Sequence, residues 1–154
     1  MKAFAICMLV GSALLLSQLH AQETKTIGEE KPVDLAGTYK IVSGERSGVK
    51  LSEEKLDNVM VRIATNAITT YTKDKKEIYA ATYTLDTSAT PWKISMTATI
   101  TPDKGVGTKT QGLIDIKGDT ARLIYALPGG AVPTTFTAGD KQQMFVLRKM
   151  PSLK

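Results

Sequence analysis

Two side chains are nearly missing from this sequence, and both absences exclude chemistry. Its 154 residues hold one cysteine, Cys7, and one histidine, His20. Both fall in a leading stretch that reads as a removable export signal, so the mature chain would contain neither. That excludes Ser-His-Asp and Cys-His catalysis, His/Cys zinc or copper sites, haem held by His or Cys, and any disulfide scaffold. A phosphate-cradling glycine loop is missing too. Gly105-Val106-Gly107, with Gly112 further on, has the wrong spacing for either glycine fingerprint, and no helix follows to hold a phosphate. It reads as a flexible hairpin loop. Oxygen-ligated calcium needs clustered acids or carbonyls, and no loop here supplies them.

The start of the chain is its most legible address. Lys2 forms a one-charge n-region, Ala3 to Leu16 an apolar stretch of fourteen residues, and Ser17 to Ala21 a short polar c-region. This is the three-part layout of a signal peptide, cleaved between Ala21 and Gln22. A membrane anchor needs roughly 18 or more apolar residues, and no stretch of this chain reaches that length. Removal of the first 21 residues leaves 133, one domain's worth, and the loss of Lys2 lowers the formal charge from +5 to +4. Residues 22–33 are polar and charged, with Glu29, Glu30, Lys31 and Pro32, and cannot bury enough surface to offset their ordering entropy. They read as a flexible leader. The expected globular domain spans residues 34–149, and residues 150–154 form a tail.

What is abundant is strand-forming. The mature chain carries 20 threonines in company with Val, Ile and Tyr, and the branched Cβ of threonine suits a pleated, half-buried surface. Alternation locates the strands. Thr38 to Ser43, Val59 to Ala64, Ala67 to Thr72 and Glu77 to Leu85 form the first half. On the last of these, Tyr79, Ala81, Tyr83 and Leu85 share a face. Trp92 to Ile100 alternates most cleanly, with Trp92, Ile94, Met96, Ala98 and Ile100 opposite Lys93, Ser95, Thr97 and Thr99. Thr110 to Lys117 and Thr120 to Ala126 flank Gly118-Asp119, a Gly-first hairpin turn of type II′. Gln143 to Lys149 closes the series, with Phe145 and Leu147 on one side. Ser52 to Asp57 is the one helical stretch, a single turn that Ser52 could cap. Eight short antiparallel strands predict an all-β, eight-stranded barrel, with a two-sheet sandwich as the alternative.

These segments also resemble a family. Leu35-Ala36-Gly37-Thr38-Tyr39, the strand after it, and Gly44-Glu45-Arg46-Ser47-Gly48 are similar to the opening of the lipocalin-like domains of planctomycete bacteria. Those usually read Leu-x-Gly-Thr-Trp and then Gly-Glu-Arg-x-Gly. The likeness continues through residues 51–56, Tyr83-Thr84-Leu85-Asp86, Gly112 to Thr120, and Pro128-Gly129-Gly130 to Phe136, ending at Phe145-Val146-Leu147-Arg148-Lys149. Tyr39 stands where the family usually has Trp, and Ile124 where a Cys is common; each keeps an apolar side chain of fitting shape. The resemblance implies a lipocalin-like barrel, plugged at one end by Tyr39 with Arg148 lying across it. It implies an exported domain that is not catalytic and has no assigned ligand.

The remaining candidates are weighed on chemistry. Asp74, Asp86, Asp103, Asp119 and Asp140 fall at turns or on the surface, and Asp115 is the exception, inside a strand, where an outward carboxylate pointing to water or to a neighbouring Lys explains it. No enzyme, metal or cofactor is expected. Lys73, Lys75 and Lys76 make a basic hairpin tip that reads as a solvated turn discouraging edge pairing. Export and a charge of +4 argue against nucleic acid. An apolar and aromatic set remains: Tyr39, Val61, Ile63, Tyr83, Trp92, Ile94, Met96, Tyr125 and Phe145. These either fill the barrel as core or line a cavity for a small hydrophobic ligand, with tyrosine hydroxyls to orient it. The leading expectation is an exported binding module, and the rival is a filled barrel that meets an envelope protein. Periplasm and extracellular space are both open as destinations, and nothing in the residues sets an oligomeric state.

Overall fold

A computed structural model of the chain describes residues 34–102 and 105–152. The signal and leader read over residues 1–33, Cys7 and His20 included, lie outside the described residues, as does Asp103. Nine strands and one short helix follow in order: β1 (Gly37–Arg46), β2 (Val49–Lys50), α1 (Glu53–Asp57), β3 (Val59–Ile63), β4 (Ala67–Thr72), β5 (Glu77–Asp86), β6 (Trp92–Ile100), β7 (Lys109–Lys117), β8 (Thr120–Ala126) and β9 (Gln142–Lys149). Each strand from β3 to β9 pairs antiparallel with the next, β1 pairs with β3, and β1 also pairs with β9. That last pairing closes an eight-stranded barrel, which removes the exposed edges an open sheet would leave. The sandwich alternative is therefore excluded. Only β2 stands outside the closed ring, a two-residue strand paired to the end of β1.

Closure requires a strand that can serve two neighbours, and β1 does so by bending. Its first residues pair with β3, and Tyr39 to Arg46 pair with β9 across a bulge between Ile41 and Ser43. A bulge adds one residue to one strand, increasing local twist and coiling the sheet. It also resets parity. Tyr39 and Ile41 point inward before it, whereas Gly44 and Arg46 share the face of Phe145 and Gln143 after it. The hairpins obey their turn residues. Gly118 takes φ +62° between the paired Lys117 and Thr120, as a Gly-first type II′ turn requires.

The inward residues form one continuous core, in which Tyr39, Ile63, Ile94, Ile114 and Leu147 are at most 2% exposed. A second, smaller cluster lies outside the barrel wall. Leu113 and Ile124 point outward from β7 and β8, and residues 127–141 cover them with Phe136 and Ala138. That loop is tied down at several points. Gly130 N–H donates to the Leu127 carbonyl at 2.8 Å, Lys141 N–H to Ser47 Oγ at 3.1 Å, and Gln142 Nε2 to the Ala131 carbonyl at 2.9 Å. Asp115 faces outward as expected and is held bidentately by Arg122, whose guanidinium also lies 4.2 Å from the centre of the Phe136 ring.

Two local expectations change. Ser52 does precede α1, but its hydroxyl makes no capping bond; only its carbonyl accepts, from Lys55 N–H at 3.1 Å. The basic residue laid over the barrel end is Lys149, and Arg148 is exposed. The two-residue period of β9 puts Leu147 and Lys149 inward and so turns Arg148 to solvent. Lys149 crosses Gly37 and donates from Nζ to the Asp34 carbonyl at 3.1 Å.

Candidate functional site

The barrel has two unlike ends. One carries the β3–β4, β5–β6 and β7–β8 turns together with Leu35 and Lys149, and there the interior is filled. Tyr39 is 2% exposed and donates its hydroxyl to the Leu35 carbonyl at 2.7 Å. Tyr83 is 8% exposed and donates to the Ala64 carbonyl at 2.7 Å. Both distances are those of good O–H···O bonds. Burial, and then the nearby Asp34 carboxylate, push both phenols above the usual tyrosine range.

Toward the other end, the side of α1 and the loop of residues 127–141, the interior opens into a cavity of about 210 Å³. Its floor and walls are Ile41, Val61, Ile68, Met96, Leu123 and Leu147, and its rim includes Leu51, Leu56, Tyr79, Tyr125 and Phe145. The β2–α1 stretch forms one side of the mouth, and α1 buries only Leu56, which fixes the helix on the cavity. Gly44 makes this possible. A Cβ there would stand 2.9 Å from the Phe145 ring and 3.0 Å from Leu51 Cδ1, so a bare backbone lets both side chains close over the rim.

The nine candidates thus divide. Val61, Met96, Tyr125 and Phe145 line the cavity; Tyr39, Ile63, Tyr83, Trp92 and Ile94 belong to the core without lining it. Several lining residues escaped the sequence reading. Tyr79 was legible, since alternation sets it on the face of Tyr83. Leu51 and Leu56 were not, because nothing local says that a loop and one helical turn lie over a barrel mouth.

The polar groups at the two ends are arranged differently. Tyr79 and Tyr125 are half-buried, and their hydroxyls have no hydrogen-bond partner among the described residues. Burial raises both phenols above the usual range; at Tyr125 the neighbouring Tyr79 adds to this and Arg46 opposes it. Both are therefore protonated donors at neutral pH. Behind them Gln143 is 5% exposed and donates from Nε2 to the Glu45 carbonyl at 3.0 Å. Arg46, Gln143 and Tyr125 occupy one cross-strand row on the inward face of β1, β9 and β8. Among the described residues lining the cavity, Lys55 is the charged one, and it is exposed. The arrangement can exclude water from an apolar body and offer donors to whatever polar group that body carries. Among the described residues there is no group of three or more metal-ligating side chains.

Comparison with known proteins adds little chemistry. The chain matches no known protein family and no curated protein. Among solved structures, an uncharacterized protein from Bacteroides eggerthii aligns with 76% of this chain and 100% of its own, at 12% identity and a TM-score of 0.46.

Proposed function

We propose that this protein is an exported, non-enzymatic lipocalin-like module that binds a small apolar molecule inside its barrel. One observation carries the reading: an apolar cavity of about 210 Å³ that opens at one end of the barrel, with two phenol hydroxyls at its rim that have no partner among the described residues. Drug-sized pockets run from roughly 300 Å³ upward, while a cavity of about 150 Å³ already holds benzene. The guest is therefore small. Binding works by removing apolar surface from water, with the phenols fixing orientation. The strand faces suit a water-borne protein, since Lys40, Arg62, Lys93 and Arg148 are exposed on the outside of an apolar interior, the reverse of a lipid-facing barrel. The resemblance to lipocalin-like exported domains supports both the architecture and the absence of catalysis.

Native mass spectrometry of the protein recovered from its own cells, before and after organic extraction, tests this. The expected result is a small lipophilic adduct that extraction removes. A bare mass in both samples, together with no rise in melting temperature across a panel of one-ring and short-chain apolar compounds, overturns it. A Thr70→Trp variant provides the internal control, because Thr70 lines the cavity and an indole there leaves no room for a guest.

A further inference from the structure

The rim of the cavity is one-sided in its polar chemistry. Lys55 is its charged lining residue, and Arg46 stands in the inward row beside Gln143 and Tyr125. Neither cation has an ion-pair partner among the described residues, where the pairs are Lys40–Asp57 and Arg122–Asp115. The acids at this end among the described residues are Glu45, Glu53, Glu54, Asp57, Asp74, Glu77 and Asp140; all but the half-buried Glu45 are exposed, and none lines the cavity. Tyr79 and Tyr125 add two phenolic donors with no acceptor among the described residues. A guest held here meets Lys55 and two phenolic donors at its outer end, with Arg46 beyond the lining in the same row as Tyr125, and apolar side chains and Thr70 elsewhere.

From this, and resting on the binding role proposed above, we infer that the guest is a short monoanionic amphiphile. Its carboxylate sits at the rim among Arg46, Lys55, Tyr79 and Tyr125, and its one-ring or short alkyl body fills the cavity. A carboxylate accepts from both phenols and neutralises the cationic rim at once. An alcohol of equal length accepts but leaves the cations unanswered. An ammonium of equal length meets like charge and brings no acceptor. The closed end sets an upper limit on length. Tyr39 and Tyr83, hydrogen-bonded to Leu35 and Ala64, close the far end, so a long acyl chain finds no continuation.

Calorimetric titration of the protein with octanoate, octan-1-ol, octylammonium and hexadecanoate tests the inference. Octanoate is expected to bind about tenfold more tightly than octan-1-ol, the scale of one or two hydrogen bonds to a charged group. Octylammonium and hexadecanoate are expected to show no saturable binding. In the double variant Arg46→Met with Lys55→Met, octanoate is expected to bind no more tightly than octan-1-ol binds the same variant; circular dichroism melting shows that it is folded. Equal affinity for octanoate and octan-1-ol, or a preference untouched by the double variant, overturns the anionic head group and leaves the apolar cavity standing. Failure of all three eight-carbon probes to bind overturns the cavity reading itself, and this inference with it.

Discussion

At the closed end of the barrel Tyr39 and Tyr83 are buried, and each hydroxyl reaches a backbone carbonyl at 2.7 Å. At the open end Tyr79 and Tyr125 are half-buried beside a cavity, and neither hydroxyl has a described partner. The residue type and strand geometry are the same; the difference lies in what surrounds them. A buried polar group without a partner costs about 1–3 kcal/mol, so at the closed end the fold supplies partners from the chain. At the open end the hydroxyls keep access to water or a guest, and the cost is avoided rather than offset. One end contributes stability, and the other keeps space and donors free.

Truncation should separate the two ends most sharply. Tyr39→Ala removes a ring that is 2% exposed and leaves a void in packed surroundings, so urea denaturation should show a loss of about 3–5 kcal/mol. Tyr125→Ala removes a half-buried ring that already borders a cavity, and its loss should be about 1–2 kcal/mol. Equal losses at the two positions would mean that the open end is packed as tightly as the closed one.

Removing the hydroxyl alone sharpens the contrast. Tyr39→Phe and Tyr83→Phe each delete a hydrogen bond and orphan a carbonyl, so each should destabilise by about 1 kcal/mol. Tyr79→Phe and Tyr125→Phe delete no hydrogen bond among the described residues and should change stability by less than about 0.5 kcal/mol. If binding holds, the same two variants should weaken the guest. Chemical denaturation beside ligand titration distinguishes the pairs, because stability should move at one end and affinity at the other.

The fold was legible and the cavity only half so, for a physical reason. Period-two alternation marked all eight barrel strands, and Gly118-Asp119 announced its turn, because both depend on neighbouring residues alone. The cavity depends on register between distant strands. The bulge at Ile41–Ser43 moves Gly44 and Arg46 onto the inward face, and strict alternation from Tyr39 would have put Ser43 and Glu45 there instead. The resemblance placed Arg148 across Tyr39, one residue away from Lys149, the residue that does lie at the barrel end. Trp92 stood among the candidates for core or cavity lining, and it starts β6 at the packed end. Composition told which side chains face inward; it could not tell which of them leave a gap.

Alkaline titration compares the two ends through a common property. All four inward phenols are raised, mainly by burial. Their stabilising contribution is complete below the unfolded tyrosine pKa of about 10. Above it the unfolded chain loses protons that the folded chain retains, and stability falls as pH rises toward the folded values. Denaturation midpoints measured from pH 8 to 11.5 should therefore be level at first and decline above about pH 10. Tyr125→Phe should flatten that decline, because burial and the neighbouring Tyr79 both raise its phenol. An unchanged alkaline limb in Tyr125→Phe would show that its phenol is solvated, and the open end would then be wetter than its lining implies.

The smallest effect concerns what holds the mouth in place. Lys40 Nζ lies 3.1 Å from Asp57 Oδ1, joining β1 to the end of α1, with the two side chains 48% and 61% exposed. Exposed pairs of this kind contribute about 0.2–1 kcal/mol and weaken with salt. Leu56, in contrast, is 7% exposed and packs into the core beside the cavity. The helix should therefore be held by hydrocarbon rather than by charge. A double-mutant cycle over Lys40→Ala and Asp57→Ala should return a coupling below about 0.5 kcal/mol, while Leu56→Ala alone should cost about 2 kcal/mol or more. A larger ionic coupling, lost in high salt, would reverse that order and make the position of α1 at the cavity mouth dependent on ionic strength.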